Sequence, residues 1–521
     1  MKLERTQNAK RNIIWGLVNK IVKIILPFII RTIIIYRLGE EYIGLNSLFA
    51  SILSTLSLAE LGFDTAIVAI MYRYVAEENN LVINALVNFI RKAYLVVGCT
   101  ILILGCLCIP FLKYMIKDYQ LLPVDINIYI IYLLFLFNTV ISYFFGGYRT
   151  CIFEAYQRQD IISNLNSIIT IVFSAFQIIT LILFRNYYLY LGLSLISNLV
   201  LNILIYSYSK KHYQSIKAEG YITLSQKKEL KKILYGTFMG KIGGVLSTSA
   251  DNIVISSFLG VTILAYYTNY YYVVTALQSV LVTIYISLQA GIGNSIALDT
   301  KEKNYADMMK FTFMFNWIVG WCSICMMVLF QPFIDLWVGK EAILPYIVQL
   351  FIVLDFYIVM CGSIQGTYKN ALAIWWEDRY RCIVSGLVNI SLNITFVLFL
   401  RRLGNIYALI GIVFSTVIAD LLVSTPWSIK VTFNVYFKHG AKKYVYSLLT
   451  YFFVTCVNYV ITIGVSKVLW TLDIPFILKF LLNCVVCIII PNVIYFMFYF
   501  KTKQFKLAKN FLFSGIRKRN R

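Results

Sequence analysis

Long apolar segments alternate with short polar connections along almost the whole chain. About fourteen of these segments are long enough to cross a bilayer as a helix, which takes about 20 residues. They lie near residues 13–36, 42–71, 93–116, 126–148, 161–184, 188–207, 233–258, 263–297, 311–337, 345–368, 381–400, 406–427, 445–469 and 476–500. The pattern predicts an all-α polytopic membrane protein. The second and eighth segments exceed one straight crossing, and we expect bends near Gly62 and near Gly291 and Gly293.

The first six segments and the next six carry similar residues at a constant spacing. The pairs that lie 221 positions apart are Gly39 and Gly260, Lys20 and Lys241, and Arg158 and Arg379. A repeat of six spans keeps both copies in one orientation, so it predicts two six-helix lobes related by a pseudo-twofold axis along the membrane normal, followed by two C-terminal helices. The predicted domains are an N-terminal lobe (1–207), a cytoplasmic basic connection (208–232), a C-terminal lobe (233–427), two additional spans (428–500) and a basic cytoplasmic tail (501–521).

Composition agrees with a membrane protein and indicates its orientation. Hydrophobic residues make up 60% of the 521 residues and charged residues 14%, against about 25% charged in soluble domains. The net charge of +23 is spread over short connections, with about 34 Lys and Arg on one side of the predicted membrane and about 8 on the other. Because positive charge marks the cytoplasmic side, we expect a multi-pass protein of the cell (cytoplasmic) membrane with both termini in the cytoplasm. Membrane lipids are the expected partners of the basic connections, and nucleic acid is not.

Cysteine and histidine do not form a recognisable metal site in the sequence. The close cysteine pairs all lie in apolar segments without a charged or histidine partner nearby; they are Cys106/Cys108, Cys322/Cys325 and Cys484/Cys487. The two histidines, His212 and His439, fall in polar connections. We therefore expect no metal, no cofactor and no histidine relay inside the membrane.

The first apolar segment contains three cations on one helical face. Lys20, Lys23, Pro27 and Arg31 fall within about 80° of one another in a helix. A cation at mid-membrane costs at least about 2.5–3.5 kcal/mol, so such a row is expected to face a wet cavity or an anionic partner. The alternative is that Lys20 and Arg31 extend to the two headgroup regions, which suits Lys23 less well. We interpret the row as the lining of a central cavity that binds phosphate or pyrophosphate.

The repeat places a second polar face on the seventh span. Lys241 and Asn252 correspond there to Lys20 and Arg31. We expect both residues to line the same cavity, and an extended Lys241 at the inner interface is the alternative.

Acidic residues within the predicted spans include Glu60, Asp64, Asp251, Asp355 and Asp420. Carboxylates at membrane depth suggest coupling to an ion, either a proton or sodium, or pairing with the lysines. A structural ion pair or an interfacial cap is the alternative for each one. The tyrosine-rich stretch 266–272 has two interpretations as well, an interfacial aromatic belt or a set of sugar contacts.

Several short motifs extend over most of the chain. They are Tyr36-Arg-Leu-Gly39 with Tyr42-Ile-Gly44, Glu60-Leu-Gly-Phe63, and Asp251-Asn-Ile-Val-Ile-Ser-Ser-Phe-Leu-Gly260 with Ala265-Tyr266. In these motifs the chain resembles the bacterial flippases of lipid-linked oligosaccharides. These are the O-antigen and capsule repeat-unit exporters of the polysaccharide transporter family, in the multidrug/oligosaccharidyl-lipid/polysaccharide superfamily.

The resemblance implies a central cationic cavity between two lobes and alternating access. It implies a cargo of undecaprenyl-pyrophosphate-linked oligosaccharide, moved from the inner to the outer leaflet, and partners among other polysaccharide-assembly proteins. Related lipid II flippases have arginines in the cavity, where this chain has Lys20, Lys23 and Lys241. The two C-terminal helices are expected to form a groove for the prenyl tail.

Three hypotheses about function follow. The leading one is a flippase, not an enzyme, that serves the biosynthesis of a capsule, O-antigen or exopolysaccharide. The second is a cation-coupled multidrug or small-molecule exporter of the same superfamily, although cationic cargo would be repelled by four buried cations. The third is a membrane polysaccharide polymerase or acyltransferase, which would need a large outer loop or an intramembrane histidine that the sequence does not provide.

Overall fold

Helices make up all the regular structure in residues 5–60, 63–117 and 119–519, which the computed structural model describes. Their bounds are α1 (Arg5–Arg37), α2 (Glu40–Leu56), α3 (Phe63–Ala76), α4 (Asn80–Cys108), α5 (Ile128–Phe144), α6 (Thr150–Ala155), α7 (Gln159–Leu183), α8 (Tyr187–His212), α9 (Leu224–Leu259), α10 (Val261–Leu298), α11 (Lys301–Trp337), α12 (Tyr346–Leu372), α13 (Trp375–Asp378), α14 (Arg381–Leu400), α15 (Asn405–Ile418), α16 (Thr425–Thr432), α17 (Ala441–Trp470), α18 (Phe476–Tyr499) and α19 (Lys503–Arg519). The prediction of an all-α protein is confirmed.

Ten helical segments of this described part are long and apolar enough to cross a membrane. The number becomes eleven if α5 and α6 count as one span, because Ile128–Phe144 and Gly147–Ala155 form a pair bent by 48°. The chain is therefore a multi-pass membrane protein. The other predicted spans correspond to α1, to the pair α2 and α3, and to α9.

The second predicted span is interrupted, as expected from its length. α2 ends at Leu56, a 3₁₀ turn covers Ser57–Glu60, and α3 begins at Phe63; Gly62 lies outside the described residues. In contrast, α10 continues through Gly291 and Gly293 without interruption. A glycine inside a helix costs only about 1 kcal/mol relative to alanine, so it does not by itself end a long helix.

The two copies of the predicted repeat share a local backbone geometry where the first helix passes into the second. Gly39 follows α1 with φ 128°, and Gly260 follows α9 with φ 107°. Each glycine N–H donates at 3.1 Å to a carbonyl five residues earlier, that of Ile34 or Ile255. These φ values are accessible to glycine because it lacks a Cβ atom. The order of helices also recurs, since short helices (α6 and α13) precede α7 and α14.

Internal contacts divide the chain into two compact units, Met1–Ala265 and Tyr266–Arg521. In the first unit α1 packs along α7, and α2 packs against α9. In the second unit α11 packs against α12, α17 and α18. α9 thus belongs to the first unit by its contacts, whereas the predicted C-terminal lobe begins at residue 233. The lobe boundaries remain a prediction.

The last two long helices are firmly packed within the second unit. Tyr451 of α17 and Tyr495 of α18 join a buried cluster with Phe313 of α11. The Trp321 indole N–H donates to the Cys487 carbonyl at 2.8 Å. A Cβ atom on Gly320 would lie 2.2 Å from the Tyr495 hydroxyl. Such close approach at a small residue is typical of helix packing in membranes, where apolar burial gives little driving force.

Candidate functional site

Polar side chains attach α1, which carries the predicted cationic row, to α7. The Asn12 amide oxygen accepts from the Asp160 backbone N–H at 2.7 Å. Two turns further on, the Asn19 amide nitrogen donates to the Ser163 carbonyl and to the Ser167 hydroxyl, both at 3.1 Å. These bonds fix the rotation of α1 about its own axis, and with it the direction in which the cations point.

The apolar surface of α1 lies on a different face from its cations. Ile14, Ile21 and Ile25 are 50%, 56% and 50% exposed, and they form a stripe centred roughly 130° from the middle of the cationic row. An exposed isoleucine stripe suits contact with acyl chains. Of the cations, Lys20 and Arg31 are half-buried, whereas Lys23 is exposed. The cations therefore share a face of the first unit that is distinct from its isoleucine stripe.

Lys23 has no polar partner within the part of the chain that the structure describes. Its side chain is exposed beside Pro27, which is also exposed on the same side of α1. A lysine ammonium with three unused donors is suited to a mobile anionic ligand.

Arg31 has an aromatic neighbourhood that the sequence did not indicate. It lies close enough to Tyr190 of α8 to act on its hydroxyl electrostatically. The Tyr190 ring stacks on Tyr187 with centroids 5.5 Å apart, and Tyr187 meets Tyr42 edge to face at 5.0 Å. Tyr187 and Tyr42 are 1% and 3% exposed, so they pack inside the first unit, whereas Tyr190 is half-buried and offers an apolar face and a hydroxyl that suit contact with a sugar. These residues lie on different helices, α1, α2 and α8, that pack together. A local sequence pattern therefore could not have shown the cluster.

Of the two residues predicted on the seventh span, the structure describes the side-chain contacts of Asn252 only. The Asn252 amide nitrogen donates to the Ser51 hydroxyl at 2.8 Å, and the hydroxyls of Ser54 and Ser249 are bonded at 2.7 Å nearby. Asn252 thus lies in the polar contact between α2 and α9. Lys241 falls within α9, but its side chain lies outside the described residues. A cavity shared by these residues and the α1 row remains a prediction.

Among the predicted acidic residues of the first unit, Asp64 is bound by a neighbouring helix. Both oxygens of Asp64 accept from the Tyr94 hydroxyl of α4, at 2.7 and 2.8 Å, and Asp64 lies within electrostatic range of Glu154 of α6. Asp251 is 3% exposed within α9. The side chain of Glu60 lies outside the described residues. A role of these residues in ion coupling remains a prediction.

The second unit contains two acidic residues near one another. Asp355 of α12 is 6% exposed and accepts from the Tyr271 hydroxyl at 3.4 Å. Asp420 lies within electrostatic range of both Asp355 and Arg381. Two carboxyl groups and a guanidinium thus share this part of the second unit.

An ionic network lies beside this pair and was not predicted. Asp378 accepts from the Lys369 ammonium at 2.7 Å and from the Arg381 guanidinium at 2.9 Å. Arg381 also donates to the Ser424 hydroxyl at 2.7 Å. Lys369 and Asp378 side chains are only 8% and 12% exposed. The network connects α12, α13, α14 and the π-helical turn Ala419–Ser424, which also contains Asp420.

The tyrosine-rich start of α10 is not a uniform interfacial belt. Tyr267 and Tyr270 are 2% and 0% exposed, and the Tyr270 hydroxyl accepts from the Leu344 N–H at 3.1 Å. These two residues pack inside the protein. Trp375 and Trp376, at 44% and 56% exposed, match the interfacial interpretation better.

In the searched residues, no three side chains of His, Cys, Asp or Glu are grouped to hold a metal.

Residues 9–288, more than half of the chain, match the model of a family described as polysaccharide biosynthesis protein. The chain belongs to this family. The motif-based resemblance is thereby confirmed at the level of the family, and no curated protein sequence gives a significant match.

Solved structures of membrane transporters have a similar fold. Lipid II flippase MurJ, in an inward-closed conformation, is 15% identical, has a TM-score of 0.66, and matches over 94% of this chain and 99% of its own. An inward-facing multidrug resistance MATE transporter of the MOP superfamily is 12% identical with a TM-score of 0.60, over 78% and 94%. A MOP transporter from Pyrococcus furiosus, described as having a binding pocket of reverse polarity, is 11% identical with a TM-score of 0.53, over 82% and 96%. This polysaccharide biosynthesis family member thus has the fold of MOP-superfamily transporters.

Proposed function

We propose that the protein is a flippase for an undecaprenyl-pyrophosphate-linked oligosaccharide repeat unit. It would move this lipid from the inner to the outer leaflet by alternating access, in the biosynthesis of a cell-surface polysaccharide. The observation that carries the proposal is the cationic row Lys20, Lys23 and Arg31, held by α7 away from the isoleucine stripe of α1.

The chemistry of the row suits a pyrophosphate headgroup. Lysine and arginine form charge-assisted hydrogen bonds to phosphate oxygens, and these bonds strengthen where water is scarce. Lys20 and Arg31 are separated by about 16 Å along a helix at 1.5 Å per residue, so the row can offer successive contacts along the direction of transport. Tyr190, beside Arg31, would meet the first sugar. Because the cargo is anionic, a membrane potential negative inside favours its outward movement, by about 2.3 kcal/mol per charge per 100 mV.

The architecture that we propose has fourteen spans. The described residues contain up to eleven candidate spans, and α1, the pair α2 and α3, and α9 would bring the number to fourteen. The recurring glycine geometry at Gly39 and Gly260 supports two six-helix lobes. Two C-terminal helices, α17 and α18, would then accommodate the prenyl tail, and both termini would lie in the cytoplasm.

An ion gradient is the proposed source of energy for the return of the empty carrier. The proximity of the two buried carboxyl groups of Asp355 and Asp420 supports a proton or a sodium ion as the coupling ion. The same proximity is the specific observation in favour of the second candidate function, a cation-coupled exporter of small molecules. The exposed Lys23 favours the flippase, because a cationic face repels cationic drugs.

The test is complementation of a strain that lacks the gene. We expect the deletion to accumulate an undecaprenyl-linked oligosaccharide on the cytoplasmic leaflet, and Lys20→Ala or Arg31→Ala to reduce its export at least about tenfold, the effect of losing one charge-assisted bond. Lys228→Ala, which removes an exposed cytoplasmic lysine, is the matched control and should export normally. Protein abundance in the membrane should be unchanged. Full export by the Lys20→Ala/Arg31→Ala double variant would contradict the proposal, and resistance to cationic dyes on overexpression would favour the exporter.

A further inference from the structure

A cavity of about 510 Å³ opens in the first unit, at the end predicted to face the cytoplasm. It is bounded by the end of α5, the end of α8 and the connection that follows α8. Its lining contains four cations, Arg91, Arg149, Lys210 and Lys217, and one carboxylate, that of Glu219. The residues of the α1 row do not line it. This cavity is therefore separate from the proposed transport site.

Arg149 distinguishes the cavity from an ordinary basic surface. Its side chain is buried, with 6% of the residue exposed. The guanidinium donates to the Ser209 hydroxyl at 3.1 Å and to the Tyr148 hydroxyl at 3.4 Å, and it lies 4.8 Å from the centre of the Tyr206 ring. No carboxylate among the described residues is within 4.0 Å of it, and Nη2 has no hydrogen-bonded partner there. A buried cation with only neutral partners is costly, and an anionic ligand would offset that cost.

A tight turn holds Arg149 at the cavity. Gly146 has φ +87°, and a Cβ atom there would lie 2.9 Å from the Tyr206 Cβ atom. A Cβ atom on Gly147 would lie 2.3 Å from the Ser142 carbonyl oxygen. The two glycines thus let the chain after α5 press against α8, which places the guanidinium under Tyr206. The position of the buried charge is set by the backbone and does not depend on a flexible side chain alone.

Two asparagines of α4 hold the opposite wall in place. The Asn84 side-chain oxygen accepts from the Lys217 backbone N–H at 2.9 Å, and the Asn88 amide nitrogen donates to the Gly220 carbonyl at 2.8 Å. Arg91 lies one turn beyond Asn88 on the same helix. The connection after α8 is therefore ordered on α4, with Lys217 and Arg91 at the same opening.

The cavity also has an apolar rim of exposed side chains. Phe145, Ile203 and Tyr206 line it and are 52%, 47% and 38% exposed. Exposed aromatic and branched side chains beside a basic site suit contact with the upper part of acyl chains. Basic residues at the cytoplasmic surface are expected from membrane orientation alone, but orientation does not explain a buried guanidinium next to an apolar rim.

We propose that this cavity binds a phosphate group, and that its ligand is the headgroup of an anionic phospholipid of the inner leaflet. The Arg149 guanidinium would bind the phosphate oxygens, Lys210 and Lys217 would close the site from the cytoplasm, and the acyl chains would lie along Phe145 and Ile203. The site is distinct from the α1 row and does not depend on the proposed transport function.

The test measures lipid binding by the purified full-length protein in a neutral detergent. Thermal stability is titrated with dioleoylphosphatidylglycerol, dioleoylphosphatidylcholine and inorganic phosphate, and native mass spectrometry counts the bound lipids. We expect phosphatidylglycerol to bind at least about tenfold more tightly than phosphatidylcholine. The Lys210→Gln/Lys217→Gln variant should bind phosphatidylglycerol about thirtyfold more weakly, since each basic residue near an anionic lipid contributes about fivefold.

A matched control separates this site from surface charge. Lys227→Gln/Lys228→Gln removes two exposed lysines of the same predicted cytoplasmic side outside the cavity, and it should bind as the wild type does. Arg149→Gln should weaken binding, and if that variant does not fold, the exposed lysine pair still decides.

The three ligands distinguish a lipid headgroup site from a free phosphate site and from nonspecific binding. Stabilisation by inorganic phosphate alone, lost in the Lys210→Gln/Lys217→Gln variant, would support the anion site and assign it to a free phosphate. Equal binding of the two lipids, or an equal loss in both double-lysine variants, would overturn the proposal.

Discussion

Individual charges in this protein are placed in two different ways. Lys23 is exposed and has no polar partner in the described part of the chain, whereas Lys369 is buried and paired with Asp378 at 2.7 Å. An exposed cation remains available to a ligand, and a paired buried cation stabilises the contact between its helices. The distinction separates residues expected to affect transport from residues expected to affect folding.

We predict that loss of the Asp378 carboxylate lowers the thermal stability of the protein. Asp378→Asn removes the shared counter-ion of Lys369 and Arg381, which leaves buried charge without compensation. Breaking such a buried pair costs about 3–5 kcal/mol, so we expect a clear fall in the midpoint of thermal unfolding in detergent. Asp299→Asn is the control, because its partner Lys303 is 60% exposed and an exposed pair contributes about 0–1 kcal/mol. Similar midpoints for the two variants would show that the network does not stabilise the fold.

Some helix ends could be predicted from the sequence, and others could not. The glycine pair Gly39 and Gly260 was found from spacing alone, and both residues have the positive φ that their position between helices requires. The start of α4 was not found. This helix begins at Asn80, capped by the Asn79 side chain, well before the predicted span at residue 93. Hydropathy follows contact with lipid, and it does not detect a helix that continues into water.

We predict that a side chain at Gly260, between α9 and α10, destabilises the fold. At φ 107° and ψ 163° the backbone is in a region open essentially to glycine, so Gly260→Ala should lower the free energy of unfolding by about 1–3 kcal/mol. Gly291→Ala is a matched control. An added Cβ atom meets no atom within 4 Å at either position, but Gly291 has ordinary helical geometry, and alanine there should be neutral or stabilising by up to about 1 kcal/mol. Thermal unfolding of both variants checks this, and equal effects would argue against backbone strain at Gly260.

For the molecule as a whole, a multi-pass membrane protein of this family could be inferred from the sequence, whereas much of the site could not be. The face shared by Lys20, Lys23 and Arg31 follows from helical period alone. The proximity of Asp355 to Asp420, and that of Tyr190 to Arg31, depends on which helices are neighbours in space. The burial of Arg149 is invisible in a sequence for the same reason. Periodicity describes one helix at a time, whereas a site is built from several.

The predicted membrane orientation places the connections before and after α17 on opposite sides of the membrane. Alkaline phosphatase, which is active only outside the cytoplasm, should be active when inserted after Asp473, between α17 and α18, and inactive when inserted after His439, before α17. A single helix separates the two positions, so the pair reports one crossing. The reverse result would invert the orientation inferred from positive charge.

The polar bonds between α1 and α7 determine where the charges of α1 lie inside the membrane. The Asn19 side chain donates to Ser163 and Ser167, and the Asn12 side chain accepts from the Asp160 N–H. A turn of the helix by one residue, about 100°, would direct lysines toward hydrocarbon and isoleucines toward the polar side. Two uncharged amides thus maintain the direction of a charged surface, although they need no contact with the cargo.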